Sequence, residues 1–155
     1  MVQRLIEGLG SGTKNMLTQK RIITYLMHNH SSTIPDLAKD IDLSIPTVTK
    51  FVMELVEEGY IMNYGKQETS EGRPPNLYGL NPDSAYMVGV DIKASCLNIG
   101  LMNFTGDMVD VQMGVECRLY NTLESLEELT LHIRNFIDKH ETVKERILQV
   151  GVNIS

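Results

Sequence analysis

Between Ser44 and Gly59 the chain carries a helix with both ends marked, and this segment limits the folds open to everything around it. Ser44 can accept a bond from the free N–H groups of a first helical turn, and Pro46 sits where a missing N–H costs nothing. Gly59 is the residue type that ends helices in left-handed backbone. Val48, Phe51, Val52 and Leu55 fall at i, i+3, i+4 and i+7, one apolar stripe that requires a partner surface. Thr47, Thr49, Lys50, Met53 and Glu54 are left on the other faces.

The partner surface lies upstream. Leu17, Ile22, Ile23, Leu26 and Met27 mark an amphipathic helix from Lys14 to about His28, and Asn29-His30-Ser31-Ser32 breaks it. Thr33 then caps a short helix, Ile34 to Ile41, whose Pro35 and Asp36 suit a first turn, and Asp42-Leu43-Ser44 is a tight turn. A short helix, a three-residue turn and a longer helix are the geometry that braces one helix so that its N-terminal turn can enter a major groove. Tyr60–Tyr64 alternates like a strand, Gly65–Pro75 is polar and turn-rich, and Leu77–Leu80 is a second strand. Together they predict a hairpin, the wing of a winged helix-turn-helix. Residues 1–13, with three glycines, read as a mobile arm or a short frayed helix.

A different pattern begins after Asn81-Pro82-Asp83. Met87–Lys93, Cys96–Phe104 and Met108–Cys117 read as strands, the last two joined by Asn103-Phe104-Thr105-Gly106-Asp107, where glycine supplies positive φ. Thr122 caps a helix to about His140 with Leu123, Leu126, Leu129, Ile133, Phe136 and Ile137 apolar, and Ile147–Ile154 is a final strand. The second half is therefore β-β-β-α-β, and its last strand is expected to run parallel inside a sheet covered on both faces, so the chain reads as cut. The fold class predicted is α+β, with residues 1–82 a winged helix-turn-helix and 83–155 the start of an α/β lobe.

The expected contacts with double-stranded DNA follow from position and chemistry. Ser44 and Thr47 hydroxyls, with Pro46 in the same turn, stand at a positive helix end that suits phosphate. Thr49 can present its methyl to thymine, and Lys50, one turn on, reaches phosphate or guanine O6/N7. Lys66 is a backbone contact. Arg73, between Gly72 and Pro74-Pro75, sits on stiffened backbone and is a candidate for an A/T-rich minor groove, with Glu68 and Glu71 as competing partners. A two-fold protein on a palindromic operator, hence a homo-oligomer, completes this reading.

Charge permits it. The net −6 divides into −1 over residues 1–82 and −5 over residues 83–155, so the acidity belongs to the second half and phosphate contact is a local matter. Cys96 and Cys117 lie far from any Cys/His cluster and read as buried free thiols, and no metal or cofactor site is expected. No apolar stretch approaches a membrane span, and no secretory signal stands at Met1-Val2-Gln3-Arg4, so the cytoplasm is the expected location.

Several stretches resemble the ROK proteins (repressors, uncharacterised frames and sugar kinases), specifically their transcriptional regulators. They are Ile34–Ala38, Leu43–Thr49, Leu55–Ile61, Gly72–Pro82, Tyr86–Ile92, Leu97–Leu101 and Gly106-Asp107. The resemblance implies an actin-like, ribonuclease-H-like lobe after the wing, a repressor of sugar-metabolism genes and a sugar or sugar-phosphate effector. It also implies that the sugar-contacting residues, the catalytic aspartate of the kinases and a cysteine-rich zinc motif lie beyond residue 155. Asp91-Ile92-Lys93-Ala94-Ser95 matches the Asp-x-Gly-x-Thr phosphate loop of the kinases, with Lys93 in place of the glycine that admits the phosphate. Asp91 reads as structural, and the chain as no enzyme. A sugar kinase of the same family and a winged-helix module for protein contact are the alternatives.

Overall fold

The computed structural model describes residues 14–67 and 74–155. They divide into two compact units, one ending at Ser84 and the other beginning at Ala85. The proposed N-terminal arm lies outside the described residues. The first unit runs α1 (Lys14–Asn29), β1 (Ser31–Thr33), α2 (Ile34–Asp40), α3 (Ile45–Glu57), β2 (Ile61–Lys66) and β3 (Asn76–Leu80), then a single 3-10 turn. The second runs β4 (Tyr86–Ile92), β5 (Cys96–Asn103), β6 (Met108–Glu116), α4 (Leu123–Lys139), α5 (Glu141–Lys144) and β7 (Ile147–Ile154).

In the first unit α1 turns Ile22, Ile23 and Leu26 into the core, while Leu17 and Met27 are exposed. The apolar pattern expected for α1 is thus narrower than five residues: Met27 is about 100° round the helix from Leu26, and Leu17 about 140° from Ile22. His30 takes positive φ, 64°, and ends the helix, freeing Ser31–Thr33 to pair antiparallel with Leu77–Gly79. This short polar strand replaces the plain break expected there; its pairing partner, 46 residues on at Ser32↔Tyr78, specifies it, and local propensity does not. Thr33 serves twice, as the end of β1 and as the cap of α2, its Oγ1 accepting from the Asp36 amide at 3.2 Å. Arg21 donates to the Ile41 carbonyl and so closes the C-terminal end of α2.

The sheet order is β1-β3-β2. β2 was expected to alternate, but only Ile61 is buried and Met62–Lys66 are exposed. It is an edge strand that leaves the helical core, so neither of its faces is covered further along. Its pairing slips between Asn63 and Gly65, where the Gly65 amide donates to Asn63 Oδ1 at 2.8 Å, and Gln67 N–H to Pro75 O closes the base of the wing. On the neighbouring strand a Cβ at Gly79 would stand 2.8 Å from both the His30 carbonyl oxygen and the Tyr64 ring. One of those neighbours is backbone and the other is tethered by Tyr64 Oη to Leu80 O, 2.6 Å, so neither yields cheaply. Gly79→Ala should therefore cost about 1–3 kcal/mol of the first unit's stability, read as a lower denaturant midpoint at unchanged slope.

The second unit is a four-stranded sheet of order β6-β5-β4-β7, antiparallel except for the parallel β4–β7 pair. Tyr86, Val88, Val90 and Ile92 alternate inward on β4, and Leu97, Ile99 and Leu101 on β5. Leu129 and Phe136 of α4 cover them, with Ile133 and Ile137 alongside. Leu123 and Leu126, expected on that stripe, are exposed. The buried line is centred on Ser125, Leu129 and Phe136, and Leu126 and Leu123 stand about 80° and 140° from that centre. The final strand is parallel, as expected, but lies at the sheet edge; Val150, Val152 and Ile154 share a face with Val88, Val90 and Ile92 and are nonetheless exposed. Cys117 is buried and free as expected, whereas Cys96 is half-buried.

Asp110 on β6 binds the C-terminal end of α4, at 3.0 Å from Lys139 Nζ and 3.1 Å from His140 Nε2. The hydrogen bond from Lys139 chiefly holds its carboxyl below the usual aspartate range. A group depressed on folding contributes stability that is complete above its unfolded pKa, ~3.9, and is lost as pH falls through the lower native value. Asp110→Asn should therefore melt lower than the parent at pH 6, and the two melting curves should converge as the pH drops below about 3.9.

Candidate nucleic-acid interface

Burial of Val48, Phe51, Val52 and Leu55 fixes which way α3 faces. The consequence at its other side is a helix start, Ser44 to Lys50, in which Ser44, Ile45, Pro46 and Lys50 are exposed and Thr47 and Thr49 half-buried. The turn is well capped. Ser44 Oγ accepts from the Thr47 amide at 3.4 Å, and the two side-chain oxygens lie 2.7 Å apart. One hydroxyl proton serves that mutual bond, which leaves the other for an outside acceptor. Thr49 Oγ1 donates back to Ile45 O at 2.8 Å, so its methyl is the part left for contact.

Lys50 is the single cation on this helix. Its Nζ is 3.9 Å from Glu54 Oε1 and 5.4 Å from the Phe51 ring centroid, with the side chain 62% exposed. A pair that open has a typical worth of about 0–1 kcal/mol, so Glu54 holds the ammonium only weakly. Glu54 is further tied to α1 by Gln19 Nε2 at 3.3 Å. Lys66 is exposed at the end of β2, on the wing. Arg73 and its expected competitors Glu68 and Glu71 lie outside the described residues. The fold thus gathers Ser44, Pro46, Thr47, Thr49 and Lys50 on one helical turn and a half, and puts Lys66 on the hairpin.

Ile45, not singled out in the sequence, is 52% exposed at the helix start. The available signal was its place between an N-cap and a proline, ahead of the buried stripe. Met53 is also exposed. In the second unit the Asp91 carboxylate accepts from Asn153 at 2.9 Å and Asn98 at 3.5 Å, with Lys93 Nζ at 4.0 Å. These contacts, the Asn153 bond foremost, hold it below the usual carboxylate range and join three strands.

The comparisons with known proteins agree with this architecture. Residues 17–62 match the family model described as winged helix-turn-helix DNA-binding. Over 86% of its length the chain is 25% identical to the xylose repressor of Caldicellulosiruptor bescii. A relative from Caldicellulosiruptor sp. strain Rt8B.4 is 23% identical over the same share and carries a provisional xylose-repressor name. The chain spans about a third of the length of these relatives, 33% of each. A crystal structure described as a ROK family transcriptional regulator, homologue of the E. coli MLC protein, shares the fold over 88% of this chain and 35% of its own, with a TM-score of 0.67 at 19% identity. In sequence the chain resembles the N-terminal third of proteins named as xylose repressors, and in fold the N-terminal portion of a ROK family regulator. No helix among the described residues is long and apolar enough to cross a membrane.

The cap can be tested apart from any ligand. Ser44→Ala should lower stability by about 0.5–2 kcal/mol in denaturant unfolding, and Ser44→Gly by only a few tenths.

Proposed function

We propose that residues 1–82 are a DNA-binding module and residues 83–155 the opening part of a sensor domain, in a repressor of sugar-metabolism genes. One observation carries the reading: a capped start of α3 that presents the Ser44 and Thr47 hydroxyls and Lys50 is held outward by a wholly buried stripe on the same helix. In the major groove the spare Ser44/Thr47 proton donates to phosphate or a base edge, with Pro46 beside it, and the Thr49 methyl meets thymine. Lys50 exchanges Glu54 for phosphate or guanine. Lys66 contacts the backbone, and Arg73 enters an A/T-rich minor groove. Two copies on a palindromic operator supply affinity that a near-neutral module lacks alone. A sugar or sugar phosphate is the effector, by likeness to proteins named as xylose repressors, and a DNA-bound regulator of this kind works in the cytoplasm.

Anisotropy titrations of a mixed-sequence duplex across a salt series test this. Log affinity should fall linearly with log salt, and Lys50→Ala should reduce the slope by about one while weakening binding to all sequences. Arg73→Ala should weaken A/T-rich duplexes most. The second reading, a protein-contact surface, is favoured by exposed Ile45 and Met53; it replaces the first if an oligomeric sample binds no duplex at low salt.

A further inference from the structure

We propose that Cys117, Glu128 and His132 form a binding site for one divalent cation of the zinc class. The three ligand atoms (the thiol sulfur, a carboxylate oxygen and an imidazole nitrogen) all lie within 4.8 Å of one another. Two different elements bring them together. Cys117 directly follows β6, its amide donates to Ser95 O at 3.4 Å, and its side chain is part of the sheet–helix core, so the sulfur has a fixed place. Glu128 and His132 are one turn apart on α4, on the flank of its buried line, with His132 Nε2 3.8 Å from Glu128 Oε1.

Donor type and spacing both suit zinc. Bonds of about 2.0–2.3 Å in a tetrahedral shell put neighbouring ligand atoms about 3.3–3.8 Å apart, so closure asks for roughly 1 Å of movement. Glu128 is exposed and His132 half-buried, so both helix side chains can adjust toward the sulfur by rotation. A thiolate with an imidazole selects zinc over calcium or magnesium, which prefer oxygen. Three protein donors leave a fourth position for water. The site grades from buried Cys117 through half-buried His132 to exposed Glu128, which gives an ion a way in from solvent. On ligation the thiol releases its proton to solvent. The bound ion ties the end of β6 to the middle of α4 and stabilises the second unit. It is separate from the cysteine-rich motif that the family resemblance implies elsewhere, and independent of the DNA reading.

Titrating the reduced 155-residue chain with Co2+ and following absorption tests the proposal. The expected result is one Co2+ per chain with a thiolate-to-cobalt charge-transfer band, displaced by equimolar Zn2+. Cys117→Ser should abolish the band, His132→Gln and Glu128→Gln should each weaken binding about tenfold or more, and Cys96→Ser should leave it intact. Glu128 is exposed and His132 half-buried outside the core cluster, so their variants decide the matter should Cys117→Ser fail to fold. Zn2+ should also raise the melting temperature of the parent and not that of His132→Gln. No band with the parent chain, a band that persists in Cys117→Ser, or undiminished affinity in both helix variants overturns the assignment.

Discussion

The burial of one face of α3 is the constraint on which the first unit depends. Four side chains, Val48, Phe51, Val52 and Leu55, are taken from water. At about 1.5–3 kcal/mol each this outweighs the ~1 kcal/mol of the Ser44 cap. The cap therefore sets where the helix begins, and burial sets which way it points. Everything polar in its first turn is displayed because the opposite face has no other place to go. α1 and α2 supply that place with Ile22, Ile23, Leu26, Leu37 and Ala38.

Electrostatics in this unit are arranged around few cations. Arg21 is committed to the Ile41 carbonyl and stabilises the frame, whereas Lys50 holds only a loose pair with Glu54. A strongly bound Lys50 would make the turn inert, and an unpaired one would attract any anion. The intermediate arrangement leaves the Lys50 ammonium loosely held, while Gln19 ties Glu54 to α1.

Much of this was legible in the sequence wherever the signal was local. Thr33, Ser44 and Thr122 all cap the helices they were expected to cap, and Gly59 and Gly106 take the positive φ they were chosen for. What was missed depends on partners remote in the chain. Ser31–Thr33 has no strand character until β3 lies beside it. Leu123 and Leu126 have the right spacing and the wrong angle, because Ser125, bound to the Tyr120 carbonyl at 2.5 Å, occupies the line facing the core. Cys117 looks solitary in one dimension, since its neighbours arrive on a helix. The candidate side chains on α3 were named by type and position; Ile45, apolar yet exposed, was not among them.

The double duty of Thr33 ties the helix-turn-helix to the wing. The three residues of β1 join a strand drawn from far along the chain to the first turn of α2, which in turn supports α3. Closing that contact demands ordering of a long loop of chain before the short strand gains any hydrogen bonds. The helix-turn-helix is therefore coupled to the hairpin through three paired residues, and a peptide cut after Gly59 would lose the strand that pairs with β1.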